Sequence, residues 1–154
     1  MTGVEKIKAY LRLDDSLSTS GMPRAEQFAD IAQAGFKVVI NLALPTSDNA
    51  LPNEGELVTR QGMSYVHIPV NFDHPAVEDF ERFTQMLSVC SGQKVWVHCA
   101  ANMRVSAFVF LHRLRTGSAS RAEAERDLRK IWEPEDAWRD LLNAQLVKMG
   151  QLPL

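Results

Sequence analysis

Short runs of β-branched and other apolar residues alternate in this chain with longer stretches where apolar side chains return every three or four positions. These are the patterns of buried strands and amphipathic helices. Lys37-Val-Val-Ile-Asn-Leu42 and Lys94-Val-Trp-Val-His98 are too short for helices and lack polar alternation, as expected of strands covered on both faces. Tyr65-Val-His-Ile68, closed by Pro69, predicts another strand, and residues 16–21 a short one ending in a glycine turn. Phe80, Phe83, Met86, Leu87 and Cys90 share one face of a helix expected over 76–91. Apolar positions on nearly every side, from Val105 to Leu111, make the helix expected over 103–116 central and buried. Further helices are expected over 4–11, 23–34 (Phe28 and Ile31 inward, Gly35 at its end), 53–61, 120–132 and 134–149. Ser120, with Glu123 three residues on, forms a capping box for the helix expected over 120–132. The alternation implies an α/β fold: a mainly parallel central sheet of four to five strands flanked by helices, with residues 1–154 as a single domain.

Composition narrows the functional classes. The chain is 45% hydrophobic and 23% charged, with a net charge of −2 and no cluster of Lys and Arg, so nothing favours a nucleic acid partner. No apolar run approaches the roughly 18 residues of a membrane span, and residues 1–8 lack the apolar core of a secretory signal. A cytoplasmic setting is the expectation. Two cysteines, Cys90 and Cys99, are too few for a disulfide framework. Cys90 reads as a small buried hydrophobe. The histidines His67, His74, His98 and His112 share no ligand spacing with the cysteines, so neither a metal nor another cofactor is expected. Asp14, Asp15, Glu54 and Glu56 read as solvated surface, and Trp132 and Trp138 as helix packing against the sheet.

The chemistry concentrates in Val95-Trp-Val-His98-Cys99-Ala-Ala-Asn102-Met-Arg104-Val105-Ser106. A strand ends in His98 and Cys99, a loop of small residues follows, and a helix opens at Met103. Sites in parallel sheets form at such junctions of strand C-termini and helix N-termini. Backbone N–H groups running into a helix start stabilise negative charge by direct hydrogen bonds and by the helix dipole. One cradle of amides from Ala100 to Arg104 would thus serve both a thiolate and an oxyanion. Ala100 and Ala101 keep side chains out of it, and Asn102 tolerates left-handed backbone angles. Ser106 is placed to hydrogen-bond the sulfur.

These residues resemble the signature loop of the cysteine-dependent protein phosphatases, in particular the dual-specificity group: His-Cys, two residues, Gly, two residues, Arg, then Ser or Thr. His98, Cys99 and Ser106 match, Asn102 stands at the glycine, and Val105 stands at the arginine with Arg104 beside it. Ser18-Thr-Ser-Gly-Met-Pro, Gly35-Phe-Lys-Val-Val-Ile-Asn-Leu and Tyr65-Val-His-Ile-Pro-Val resemble a bacterial family of phosphatase-like domains. Some of its members are fused to metallo-β-lactamase-like hydrolases and labelled sulfur transferases. The resemblance implies a dual-specificity phosphatase-like fold, a phosphorylated substrate or other oxyanion as ligand, and Cys99 as nucleophile, with His98, Met103 and Val105 also around the bound anion. It implies a general acid on a loop about 30 residues before the cysteine, where Asp73 lies in Phe72-Asp73-His74-Pro75. Asp79 and His74 are lesser candidates, and an Asx-type turn or helix cap is the competing role for Asp73.

The displaced arginine leaves three readings open. If the loop keeps the phosphatase length, Val105 supplies no charge and Arg104 starts about 100° away around the helix. The reading is then an atypical phosphatase in which Arg104 reaches the anion, or a non-catalytic phosphate- or phosphoprotein-binding domain. Taken instead as a six-residue loop, Cys99 to Arg104 has the length of a rhodanese-type sulfurtransferase site carrying a persulfide.

Overall fold

Four strands run parallel in the order β2 (Leu17–Ser20), β5 (Val95–His98), β3 (Val38–Asn41) and β4 (Ser64–His67), and β1 (Leu11–Arg12) pairs antiparallel with β2 at one edge. The computed structural model describes residues 3–154; Met1 and Thr2, part of the domain expected over 1–154, lie outside the described residues. The strand register aligns the C-terminal ends of the strands. Ser20 and Asn41 both stand opposite His98, and Asn41 also stands opposite His67. A row of polar residues therefore ends the sheet where β5 delivers Cys99.

Alternation along the strands divides the core into two layers. Val38, Ile40, Val95 and Val97 face α3 (Val77–Val89), α4 (Met103–Thr116), α5 (Arg121–Arg129) and α6 (Asp136–Lys148). Val39 and Trp96 face the other way, onto Phe28 and Ile31 of α1 (Gln27–Gln33) and Val58 of α2 (Glu54–Arg60). Burial on both faces explains the uninterrupted apolar runs of β3 and β5. Helix α4 matches its expected bounds and is buried from Arg104 to Leu111. Ser120 caps α5 by accepting the Glu123 N–H at 3.1 Å, and Arg113 of α4 pairs with Asp127 of α5 at 2.6 Å. Among the described residues no helix is long and apolar enough to cross a membrane.

Two expectations require correction. The helix expected over 4–11 is a single 3-10 turn, Val4–Lys6. Val4 and Ile7 do bury their side chains at helical spacing, but Ala9 takes a positive φ of 52° and redirects the chain into the edge strand β1. The helix expected from Pro23 starts only at Gln27, because the preceding residue, Met22, donates its N–H to the Ala100 carbonyl at 3.2 Å and ties this segment to the loop after β5.

Candidate functional site

Cys99 continues the alternation of β5, so its side chain joins Val95 and Val97 in the layer beneath α4 and is 1% exposed. His98 turns to the opposite layer, edge-on to Phe28. The chain then reverses through Asn102, whose φ of 66° is the left-handed conformation that asparagine tolerates. The Ser106 N–H, bonded to the Asn102 carbonyl at 2.9 Å, is the first amide of α4 to find its helical acceptor. The N–H groups of Ala100, Ala101, Met103, Arg104 and Val105 have no acceptor among the described residues. Unpaired amides beside a helix start and next to a thiol are suited to holding a small oxyanion.

The loop is held from several sides. Ala101 bridges to Gly21, and the Ala100 carbonyl also accepts Asn49 Nδ2 at 3.2 Å. A Cβ on Gly21 would lie 2.8 Å from the Ala100 oxygen, so a side chain there would displace the loop. The Asn102 amide is fully buried and donates to the Ala9 carbonyl (2.9 Å) and Thr19 Oγ1 (3.0 Å), while its Oδ1 has no partner. The Asn102 side chain thus anchors the loop to β2 and to the turn at Ala9 that precedes β1.

His98 is likewise a support rather than a ligand contact. It is fully buried, with Nε2 2.6 Å from Glu54 Oε2 and Nδ1 3.1 Å from the Cys99 carbonyl. Glu54 is 4% exposed, which corrects its reading as solvated surface. Its other oxygen accepts Asn41 Nδ2, which also reaches the Tyr65 hydroxyl at 3.1 Å. Burial, aided by the nearby Glu54 charge and only partly offset by the Asn41 bond, pushes the Tyr65 phenol up to about 12. An acidic residue opening a helix ordinarily signals only a dipole partner. Nothing in the sequence links Glu54 to a histidine 44 positions away.

Val105, expected to stand at the signature arginine position, is fully buried in the core. Arg104 is 6% exposed and points toward the segment after β4. Its Nη1 donates to the Val70 carbonyl at 3.0 Å and its guanidinium lies 5.9 Å from the centre of the Phe72 ring. The other guanidinium N–H groups make no hydrogen bond among the described residues. The bond expected from Ser106 to the sulfur is replaced. The Ser106 hydroxyl donates to the Met103 carbonyl and accepts Trp132 Nε1, both at 3.0 Å.

Asp73 sits on the segment that Arg104 holds. Trp138 Nε1 grips the same segment, donating to the Phe72 carbonyl at 2.7 Å. The turn here is an Asx turn formed by Asn71, which accepts the Asp73 N–H at 2.9 Å. The Asp73 carboxylate is exposed and caps nothing, since α3 has no side-chain cap. Asp79 pairs with Arg82 at 2.7 Å and His74 is exposed. Trp138 is buried and packs on Phe108 of helix α4, where packing against the sheet was expected. With Trp132, Phe72, Asp73, Met103 and the α5–α6 turn, it also lines an open groove of about 480 Å³ beside the start of α4. Cys90 is buried, and burial pushes its thiol up, as befits an inert side chain.

Residues 11–140 match the model of a family described as DSP-PTPase phosphatase fused to NAD+ kinase. The chain is similar to a candidate phosphatase from Shewanella putrefaciens, with 38% identity, 96% of this chain and 97% of that one covered, and a TM-score of 0.87. A P. aeruginosa protein, TpbA, crystallised with phosphotyrosine, shares the fold at 16% identity, covering 92% and 90% of the two chains with a TM-score of 0.67. A β-lactamase hydrolase-like protein of Xylella fastidiosa is 27% identical over 116 residues, 73% of this chain. The chain spans only 27% of that relative's length.

Proposed function

The chain belongs to the dual-specificity/tyrosine-phosphatase-like family described as fused to NAD+ kinase, and on that premise we propose that it is a metal-independent phosphatase that hydrolyses phosphomonoesters through a phospho-cysteine. The observation that carries this reading is the set of unpaired N–H groups at Ala100, Ala101, Met103, Arg104 and Val105 beside Cys99. These amides hold the phosphoryl oxygens. The Cys99 thiolate attacks phosphorus while the bond to the leaving oxygen breaks, and Asp73 gives that oxygen its proton. Water then attacks the phospho-cysteine, returning a proton to Asp73 and releasing phosphate and the thiolate.

Arg104 has a double part in this scheme. Through Val70 and Phe72 it fixes the segment that carries Asp73, and its uncommitted N–H groups meet the anion from the side. Ser106 does not touch the sulfur and acts by holding the first turn of α4 against Trp132. A cytoplasmic protein acting on a phosphorylated substrate is the setting that fits.

A second reading, an oxyanion-binding domain without turnover, has one observation in its favour: Val105 is buried where the phosphatases carry their arginine. No feature of the loop favours a persulfide. The deciding experiment is hydrolysis of an aryl phosphate by the protein and by Cys99→Ser. Turnover lost with Cys99 supports the phosphatase. Bound phosphate with no turnover by either protein supports the binding domain.

A further inference from the structure

Resting on the phosphatase reading, we infer that the groove beside the cradle selects the leaving-group side of the substrate, and that its ligand is a phosphopeptide with lysine or arginine flanking the phosphorylated residue. The groove of about 480 Å³ meets the cradle at Met103, the first residue of α4, and meets the proposed acid at Asp73. The groove thus lies on the side from which Asp73 would serve the leaving group.

The walls are aromatic and the rim is acidic. Phe72 lies 5.7 Å from Trp132 and 6.0 Å from Trp138, ring centre to ring centre, and the two indoles are 6.2 Å apart. Both indole N–H groups are committed, to Ser106 and to the Phe72 carbonyl, so the rings are fixed in place and offer apolar and π surface rather than donors. Such rings attract ammonium and guanidinium groups. Asp73, Glu133, Glu135 and Asp136 line the groove, and no Lys, Arg or His does. Glu133 is already paired with Arg129 (2.9 Å) and lies near Arg139 (3.7 Å). Asp73, Glu135 and Asp136 form no ion pair among the described residues. Carboxylates spread across one groove match a ligand with several positive charges, which a basic peptide has and a small phosphorylated amine lacks.

The test compares phosphotyrosine peptides of equal length with basic or acidic flanks, with phosphoethanolamine and an aryl phosphate alongside. Basic flanks should raise kcat/KM by about tenfold at low salt, and the preference should shrink as ionic strength screens it. Glu135→Gln with Asp136→Asn should remove most of this preference and leave aryl phosphate hydrolysis unchanged. Equal rates for the two peptides, or a preference that survives the double substitution, would overturn the assignment, as would phosphoethanolamine outpacing the basic peptide. A binding titration separates this inference from the phosphatase reading. An unphosphorylated basic peptide should change the fluorescence of Trp132 and Trp138 in the native protein and not in the double variant, whether or not phosphate is hydrolysed. No response in the native protein would overturn the groove assignment alone.

Discussion

His98 and Glu54 form a fully enclosed pair, 2.6 Å between Nε2 and Oε2, immediately behind the residue proposed as nucleophile. The other ring nitrogen faces the Cys99 carbonyl at 3.1 Å. The ring therefore spans from α2 to the loop and sets the peptide plane from which the cradle begins. Glu54→Gln keeps the shape but weakens a charge-assisted bond, and should cost about 2 kcal/mol of stability. Urea denaturation checks the stability. Alkylation of Cys99 by iodoacetamide, compared with that of a core variant of equal stability cost, checks the effect on the loop. Unchanged stability would mean that the pair contributes little.

Arg104 joins the two halves of the proposed site, since its own backbone lies in the cradle and its side chain holds Val70 and the Phe72 ring. Arg104→Lys keeps the charge but not the fork of donors. It should lower kcat for an aryl phosphate by roughly a hundredfold, the scale of losing one electrostatic donor. Activity equal to the native protein would remove Arg104 from both tasks.

Asp73→Asn isolates proton donation. General acids contribute on the order of 100- to 10,000-fold, and the loss should be larger for an alkyl phosphate than for an aryl phosphate with a good leaving group. Steady-state rates with both substrates check this. An equal loss with the two would assign Asp73 a binding role.

Asp127 gives a pH prediction. Burial raises its carboxyl, but hydrogen bonds from Arg113 and Lys130 outweigh that and hold it below its ordinary value of 3.8. A depressed carboxylate stabilises the fold above its unfolded value, and the contribution disappears as pH falls through the folded value. Asp127→Asn should cost roughly 1–3 kcal/mol at neutral pH. The difference from the native protein should shrink as pH falls below 3.8 and vanish once it has passed the depressed folded-state value. Thermal unfolding across pH checks this, and a gap that persists in acid would contradict it.

What could be read from sequence follows from how locally each feature is determined. Helix α4 was legible because apolar residues surround it, and the positive φ of Asn102 because few other side chains accept it. The parallel sheet followed from β3 and β5, whose runs have no polar face. Strand β1 was not legible, being two residues of edge pairing without alternation. Val4 and Ile7 imitated a helix by burying at helical spacing, and only the turn at Ala9 breaks the pattern. In the candidate site, the cradle was legible because one continuous segment makes it. Glu54 beneath His98, the Val70 carbonyl on Arg104 and Trp132 on Ser106 were not, because each joins positions far apart in the chain.

The central claim is that Cys99 carries the phosphoryl group during turnover. Rapid acid quench of the protein with an aryl phosphate, followed by mass spectrometry of the peptide containing Cys99, tests it most directly. The account predicts a phosphoryl adduct on Cys99, absent from Cys99→Ser, which should also be inactive. Phosphate release by Cys99→Ser at the native rate, or turnover with no adduct on Cys99, would contradict it.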